Sequence, residues 1–175
     1  MRVNRRQLLL ATFALGAQAA LTACARKTAQ AVVPVDFDAA STCDLDGMLL
    51  AHYPGPKGQI HFAGDSRPTW YCDTVEMFST LLKPEQVRTV QGVFVQDMEL
   101  ADWGQPRGHW FDARTGTYVL GSRRRGPMGP TIVSFHQEAA ARKFAASFGG
   151  EVMRFAAVKP EMLELCGGAL HDSRM

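Results

Sequence analysis

Two stretches of this 175-residue chain show the same succession of apolar and polar patterns, and this repetition limits what the chain can fold into. In each stretch two short apolar runs predict strands, an amphipathic segment predicts a helix, and a further apolar run predicts a closing strand. In the first stretch these elements are placed at 48–53, 59–62, 74–82 and 87–95. In the second they are placed at 118–121, 131–135, 137–148 and 151–156. The predicted fold class is therefore α+β, with an internal duplication of a ββαβ unit.

The first 23 residues have the character of an export signal. Three arginines precede a short apolar stretch, and Leu-Thr-Ala-Cys at 21–24 matches a bacterial lipobox, whose cysteine is lipidated and becomes the N-terminus. The context of Arg5 and Arg6 also resembles a twin-arginine signal, so the general and the twin-arginine export routes both stay open. We expect a lipoprotein signal peptide at 1–23, with lipid such as palmitate on Cys24, rather than an uncleaved anchor.

The remaining chain divides into three parts. Residues 24–40 are small and polar and predict a lipid-anchored tether. Residues 41–158 predict the folded domain with its two ββαβ halves, and 159–175 predict a flexible tail. We expect the protein to face the periplasm from a cell membrane, at the inner face of the outer membrane.

The charge balance argues against a nucleic-acid partner. The whole chain has 19 basic and 17 acidic residues, but three of the basic ones belong to the signal peptide. The mature chain therefore has 16 basic against 17 acidic residues and a net charge of −1. Since nucleic-acid-binding domains present a strongly basic surface, we expect no such partner.

Two loops that carry sulfur predict a metal site. Residues 126–130 read Gly-Pro-Met-Gly-Pro, a setting that places Met128 on a tight loop instead of in the core. Upstream, Cys43 and Met48 flank a short acidic stretch, although Met48 also begins an apolar run. Because thiolates and thioethers select Cu(I) over harder ions, we predict that Cys43 and Met128 bind Cu(I), with Met48 as a further candidate.

Lipidation of Cys24 leaves three cysteines in the mature chain. Cys43 stands among acidic residues and is expected to be exposed, whereas Cys72 is expected to be buried at the start of a helix. Cys166 lies in a glycine-rich tail and is expected to be dispensable. An oxidising compartment favours disulfides, so a bond between Cys72 and Cys166 stays open.

Arg123, Arg124 and Arg125 form the strongest charge run of the chain, directly before the Met128 loop. Such a run is either a solvated loop or a docking patch that attracts an acidic partner over a long range. On the second interpretation, the three arginines guide a partner to the metal site.

The sequence contains no catalytic pattern. It has no serine–histidine–aspartate spacing, no phosphate-binding glycine loop and no dinucleotide fingerprint. The histidines are scattered and lack the i+4 partner that a zinc-binding helix needs. We therefore expect that this protein is not an enzyme.

Several segments resemble the NosL family, the lipoprotein copper chaperones associated with nitrous oxide reductase. The resemblance rests on Cys43 with Gly-Met at 47–48, and on 73–78, 97–103, 110–113 and, most specifically, 118–131. It covers about 43–158, which is essentially the whole predicted domain. It implies two ββαβ-type halves, similar in fold to organomercurial lyase, and delivery of Cu(I) to the copper centres of the reductase.

The resemblance also implies ligands and partners. Cys43 and Met128 occupy the positions that the family uses for copper, but Asp46 stands where many members have a second cysteine, in Cys-x-x-Cys-Gly-Met. Cys43 is then the one thiolate of the site, and the third ligand is open between Met48, a histidine, a partner group and solvent. The implied partners are apo nitrous oxide reductase, copper-supplying periplasmic proteins and the lipid bilayer, which is reached through Cys24.

Other functions fit parts of the same pattern. A general periplasmic copper buffer or an assembly scaffold would have the same sulfur ligands. An enzyme resembling organomercurial lyase is a further alternative, although that reaction needs more than one positioned thiolate and an acid. A site of low coordination favours a chaperone, because an incoming ligand can attack the ion, whereas a closed four-ligand site holds metal for structure.

Overall fold

The computed structural model describes residues 32–163. The predicted signal peptide, the lipidation site Cys24 and the tail residue Cys166 lie outside the described residues, and the expectations about them stay predictions. Within 32–163, no helix combines the length and the apolar character that a membrane crossing requires.

Four antiparallel strands form the first sheet. In chain order they are β1 (Gly58–Phe62), β2 (Thr69–Tyr71), β3 (Val90–Gln96) and β4 (Trp110–Asp112). Their order across the sheet is β2-β1-β3-β4, so β1 and β3 are the central strands. Helix α1 (Thr74–Leu81) connects β2 to β3 and packs against β1 and β2.

The second half of the described chain contributes five strands and a helix. The strands are β5 (Thr117–Leu120), β6 (Arg125–Gly126), β7 (Gly129–Pro130), β8 (Val133–Phe135) and β9 (Glu151–Arg154). Three of them form an antiparallel sheet in the order β8-β5-β9, whereas β6 and β7 form a separate hairpin. Helix α2 (Glu138–Phe148) connects β8 to β9. Short 3-10 helices occur at Leu50–His52, Ala113–Thr115, Phe155–Ala157 and Pro160–Met162.

The two sheets share one connectivity. In each, the first strand lies between the second strand and the strand that follows the helix. The α+β class predicted from the sequence is confirmed, and both halves contain the predicted ββαβ succession. Their origin by duplication stays a prediction.

The first predicted strand, at 48–53, is wrong. Leu50–His52 forms a 3-10 helix, and the hairpin partner of β1 is instead β2, which was not predicted. A short apolar run fits a buried turn as well as a strand, and periodicity alone does not separate the two. The closing strand of this half also begins later than predicted, at Val90, because Val87 is exposed and lies outside any strand.

The main core joins α1 to both sheets. Met77 and Phe78 are fully buried, and the ring of Phe78 meets Tyr118 of β5 edge to face at a centroid distance of 5.1 Å. Burial of each such side chain contributes about 1.5–3 kcal/mol relative to exposure. A Cβ atom on Gly58 would lie 2.7 Å from Met77 Sδ, so the close approach of α1 to β1 requires glycine. These contacts fix the position of the N-terminal end of α1.

A smaller core lies beside the end of β2. Its buried residues are Phe37, Cys43, Leu50, Trp70 and Cys72. Met48 packs against this core from a partly buried position. Since Phe37 is buried here and Leu163 is buried in the main core, packing among the described residues extends beyond the predicted boundaries 41 and 158.

Candidate metal centre

The loop between Cys43 and Met48 is closed by its own backbone. The Cys43 N–H donates to the carbonyl of Met48 at 2.8 Å, and the Gly47 N–H donates to the carbonyl of Cys43 at 2.9 Å. Gly47 has a φ of 79°, a left-handed conformation that glycine adopts without the steric cost of a side chain. The closed loop holds Cys43 toward the smaller core.

Asp44 attaches this loop to strand β2. Its N–H donates to the carbonyl of Trp70 at 2.9 Å, and its carboxylate accepts from the N–H of Trp70 at 2.7 Å. The same carboxylate pairs with Arg67 at 2.5 Å. Since Cys72 follows Trp70 by two residues, these bonds bring Cys43 beside the point where the chain leaves β2 for α1.

The start of α1 supplies the other donors. Asp73 is the N-cap, and its carboxylate accepts from the N–H of Val75 at 2.9 Å. Cys72 immediately precedes the cap, and Glu76 lies in the first turn. The Cys72 thiol donates to the Glu76 carboxylate at 3.2 Å, so both side chains face the same side of the helix end.

Cys43, Asp46, Cys72 and Glu76 form a compact group, named here the donor cluster. One ligand atom from each residue lies within 4.8 Å of the ligand atoms of the other three. The Cys43 thiol reaches Glu76 Oε2 at 3.3 Å, and the Cys72 thiol reaches Asp46 Oδ2 at 3.7 Å. Both thiols are free and buried, whereas Asp46 is exposed. The donor cluster therefore has a buried side, formed by the two thiols and Glu76, and one solvent-facing carboxylate, that of Asp46.

The surroundings favour the protonated forms of Cys72 and Glu76. The pKa of Cys72 is raised, first by the adjacent Cys43 thiol, then by burial and by the negative charge of Glu76. Burial also raises the pKa of Glu76, although the hydrogen bonds from the two thiols oppose this shift. Thiolates are the metal-binding form of cysteine, so an ion that enters must displace protons from the thiols.

Two thiols facing each other suit a soft metal ion. At a metal–sulfur distance of about 2.3 Å, as in zinc sites, one ion bridges two sulfurs up to about 4.6 Å apart. The Cys43 and Cys72 sulfurs lie within 4.8 Å of each other, so a shift of a few tenths of an ångström at most brings them into this range. Thiolates select Cu(I), and the two carboxylates prefer harder ions. The two thiols therefore suit Cu(I), with Glu76 in contact with both of them and the exposed Asp46 at the margin.

A buried lysine lies across the strand pair from Cys72, because it precedes Gly58 and Gly58 pairs with Tyr71. Lys57 has 0% of its surface exposed, and its ammonium group donates to the carbonyl of Pro54 at 2.9 Å. Burial lowers the pKa of Lys57 to about 8, and the acidic groups of Asp73, Cys72, Glu76 and Cys43 oppose this shift. At neutral pH the site therefore contains a buried positive charge.

Replacement of Lys57 by methionine is expected to stabilise the metal-free protein. A lysine whose pKa is lower in the folded chain than in the unfolded chain opposes folding below that pKa, and the wild type should gain stability as the pH rises from about 8 to 10.5. Lys57→Met should therefore raise the free energy of unfolding by about 2 kcal/mol at pH 7. Urea denaturation measured at pH 7 and pH 10 checks this.

The matched control is Lys143→Met, which removes the same charge from an exposed position of α2. It should change the free energy of unfolding by no more than about 0.5 kcal/mol. A Lys57→Met protein less stable than the wild type at pH 7 would contradict the prediction.

The predicted sulfur ligands occupy three different settings. Cys43 belongs to the donor cluster, but the expectation that it is exposed is wrong, since only 2% of its surface is accessible. Its side chain packs in the smaller core although Asp44 and Asp46 beside it are exposed residues, so exposed neighbours in the chain do not make Cys43 exposed. Met48 packs against that core, whereas Met128 is 41% exposed at the turn between β6 and β7.

The β6–β7 hairpin lies against the start of α1. A Cβ atom on Gly126 would lie 2.0 Å from Asp73 Oδ2, and Thr131 donates to the other carboxylate oxygen of Asp73 at 2.8 Å. Asp73 directly follows Cys72, so the base of the hairpin is in contact with the segment that carries the donor cluster. The hairpin presents the Met128 thioether to solvent from that base.

Cys72 and Glu76 are the functional candidates that sequence reasoning missed. The expectation that Cys72 is buried at a helix start is confirmed. The sequence contained a signal for this pair, because Cys72 directly precedes the N-cap Asp73 and Glu76 lies in the first turn after it. Both residues must therefore lie at the same end of α1. Their meeting with Cys43, 29 residues earlier in the chain, has no local signal.

Histidines do not contribute to the donor cluster found among residues 32–163. His61 instead contacts the side chain of Gln59 at 2.8 Å, and the ring of His136 packs on Phe111 at 5.2 Å. Met48 packs against the smaller core, which contains both thiols. Of the side chains considered as a third copper ligand, Met48 is therefore the candidate that remains near the thiols.

The three arginines have different environments. The guanidinium group of Arg123 donates to the carbonyl of Ser147 at 2.7 Å, and that of Arg124 lies 4.6 Å from the centre of the Trp103 ring. Arg125 is exposed in β6. Two members of the run therefore hold the hairpin against neighbouring structure, and Arg125 presents its charge to solvent.

Comparison with known proteins gives consistent matches. A family model described as NosL matches residues 34–163. The copper-binding lipoprotein NosL of Stutzerimonas stutzeri is 33% identical over 179 aligned residues, which cover 98% of this chain and 90% of that protein. The copper-binding lipoprotein NosL of Achromobacter cycloclastes is 34% identical over 167 residues, covering 93% and 84%.

A solved structure matches as well. The crystal structure of the copper chaperone NosL from Shewanella denitrificans is 36% identical and has a TM-score of 0.70, covering 75% of this chain and 98% of that one. The names of these proteins describe copper binding and copper chaperoning, in agreement with the prediction that this chain is not an enzyme.

Proposed function

Because this chain belongs to the NosL family, we propose that it is a membrane-anchored chaperone that carries Cu(I) to nitrous oxide reductase. The delivered copper is used in the maturation of the copper centres of that enzyme. The lipobox ending in Cys24 supports a lipid anchor facing the periplasm. The relatives that are named copper-binding lipoproteins support both the cargo and the anchor.

One observation carries the proposal. Two free thiols, Cys43 and Cys72, lie side by side in a buried core and form no disulfide with each other. A pair of thiolates holds Cu(I) tightly and selectively, yet leaves the ion short of a closed four-ligand cage. Such an ion passes to a partner by ligand exchange, which is the step that a chaperone has to perform.

The two methionines take different roles in this proposal. Met48 packs against the smaller core and is the third ligand of the resting site. Met128 is exposed at the hairpin turn and acts during transfer, when a neutral thioether exchanges more readily than an anionic thiolate. Cys43 therefore remains a ligand, and Met128 becomes the ligand that faces the partner.

A transfer assay tests the function. Protein loaded with one Cu(I) is mixed with apo nitrous oxide reductase under reducing, anaerobic conditions, and the recovery of reductase activity is followed. The chaperone proposal predicts faster recovery than with the same amount of Cu(I) held by a small-molecule chelator of equal affinity. Equal rates would instead favour the general copper buffer.

The cluster also contains the groups that cleavage of a carbon–mercury bond needs, namely two thiols and a carboxyl group. Incubation with an organomercurial, followed by assay of the headspace for the free hydrocarbon, separates this alternative from copper transport. We expect binding of the mercurial without release of hydrocarbon. Catalytic release would replace the chaperone proposal.

Loss of the lipid anchor should separate location from copper binding. Cys24→Ser removes the lipidated residue and is expected to move the protein from the membrane fraction to the soluble periplasmic fraction. Its Cu(I) affinity should remain within about twofold of the wild type, because the donor cluster is formed by residues 43–76. Fractionation and chelator competition measure the two properties. A marked loss of affinity would show that Cys24 contributes to the copper site.

Of the three arginines, Arg125 is expected to matter for delivery. Arg125→Glu should slow copper transfer at low ionic strength and leave Cu(I) affinity nearly unchanged, because its exposed charge acts on the encounter with an acidic partner. Stopped-flow transfer measured at low and high salt checks this. The comparison is Arg124→Glu, which should lower stability because it removes the contact with Trp103. A wild-type transfer rate for Arg125→Glu at low salt would contradict the prediction.

A further inference from the structure

We propose that Lys57 makes this copper site selective for a singly charged ion over a doubly charged one. The inference rests on the proposed function, since it assumes that Cys43 and Cys72 bind Cu(I). It adds a residue that does not touch the metal and acts through its charge alone.

Three observations place this charge at the site. Lys57 is fully buried and directly precedes Gly58, which pairs with Tyr71 in the antiparallel β1–β2 ladder, so the register places Lys57 across from Cys72. The negative charges of Cys72, Glu76 and Cys43 act on the pKa of Lys57 as this position requires. Its hydrogen bond goes to a neutral carbonyl, that of Pro54, at 2.9 Å. Among residues 32–163, the salt bridges within 4.0 Å are all formed by arginines, so Lys57 is not held in a direct ion pair there.

The selectivity follows from counting charges. A metal ion that binds two thiols displaces two protons. When the ion is divalent, its two positive charges replace those of the two protons, and the net charge of the site stays the same. When the ion is Cu(I), one positive charge replaces two, and the site becomes more negative by one unit. A fixed positive charge nearby therefore stabilises the Cu(I) complex and is neutral toward a divalent ion.

The low polarity of the surroundings makes this effect large. Cys43, Cys72 and Lys57 are all buried, so water screens their interaction less than it screens a pair at the surface. Burial of the Lys57 charge lowers the stability of the fold, so stability alone would favour a neutral residue at this position. The carboxylates of the donor cluster alone would attract divalent ions, and Lys57 opposes that preference.

Asp73 allows the reverse test, in which a buried negative charge near the thiols is removed instead of a positive one. Its carboxylate is also buried, directly follows Cys72 and has one oxygen without a hydrogen-bond partner. A negative charge at this position opposes the extra negative charge of the Cu(I) complex. Asp73→Asn retains a good N-cap residue for α1 and removes only the charge.

The experiment compares Cu(I) and Zn(II) affinities of the full chain purified in detergent, with Cys166→Ser as the common background. Each ion is titrated by competition with a chelator under reducing, anaerobic conditions. Lys57→Met is expected to weaken Cu(I) binding by about ten- to a hundredfold and to leave Zn(II) binding within about threefold. Asp73→Asn should shift the Cu(I)-to-Zn(II) ratio in the opposite direction. Lys143→Met, on exposed α2, should leave the ratio unchanged.

Retained Zn(II) affinity shows that the ligands of the variant are still in place. Equal weakening of both ions in Lys57→Met would show a structural role and overturn the proposal, as would an unchanged ratio. If Lys57→Met does not fold, Lys57→Gln is measured with the same expectation. Failure of the wild type itself to bind Cu(I) through Cys43 and Cys72 would instead refute the proposed function.

Discussion

Replacing Cys72 by serine is expected to weaken Cu(I) binding at least about a hundredfold, as strongly as replacing Cys43. Both thiols belong to the donor cluster and lie within 4.8 Å of each other. Loss of a group that merely supports a metal ligand costs 10- to 100-fold in affinity, and loss of an anionic ligand should cost at least as much. Chelator competition with Cu(I) measures the loss. Met128→Leu and Met48→Leu should each cost less, because they remove neutral ligands.

The matched control is Cys166→Ser, which removes a thiol outside the described residues and should leave the affinity unchanged. Serine is close in size to cysteine, so Cys72→Ser and Cys43→Ser should fold, which circular dichroism can check. If Cys72→Ser bound Cu(I) as well as the wild type did, Cys43 would be the one thiolate of the site. The two-thiolate site proposed here would then be wrong.

A methyl group on Gly126 is expected to displace the β6–β7 hairpin from α1. The added Cβ would lie 2.0 Å from Asp73 Oδ2 and 3.1 Å from Thr131 Cβ, and neither neighbour is the free end of a long side chain. Gly126→Ala should therefore lower the free energy of unfolding by about 2–3 kcal/mol. Since the hairpin carries Met128, copper transfer should slow as well. Urea denaturation and the transfer assay measure these two effects.

Two variants make this test specific. Gly104→Ala adds a methyl group at an exposed position where the nearest atom, Asp102 Oδ1, is 3.4 Å away, and it should be nearly neutral. Asp73→Ser shortens the opposing side chain but keeps a good N-cap residue. The double variant Gly126→Ala with Asp73→Ser should therefore recover much of the lost stability. If the two losses simply added, the collision with Asp73 would not be the cause.

The succession of elements was predictable because it depends on local patterns. The stripe of apolar residues after Asp73 predicted α1, and short apolar runs between turns predicted most strands of both sheets. The wrong prediction of a strand at 48–53 also came from a local pattern, since a short apolar run does not distinguish a strand from the 3-10 helix at Leu50–His52. Strands β2 and β4 were missed because each has three residues, too few to show a period. Strand β8 is equally short but lies within the longer predicted run 131–135.

The sequence by itself determined which chemically active residue types stand close together along the chain. Cysteine and methionine in two loops predicted a soft ion, and the lipobox predicted an anchor. Asp46, in place of the second cysteine of Cys-x-x-Cys-Gly-Met, pointed to a site with one thiolate. Each of these inferences depends on residues that are close together in the chain.

Only the tertiary structure decided which groups meet. Hydrogen bonds between Asp44 and Trp70 place the Cys43 loop beside β2, and Cys72 thereby becomes the neighbour that Asp46 does not supply. The register of β1 with β2 places the buried Lys57 across from Cys72. Pairing of a loop with a strand edge 26 residues away is set by register and by the cores that both segments join, and no short-range pattern of residues encodes it.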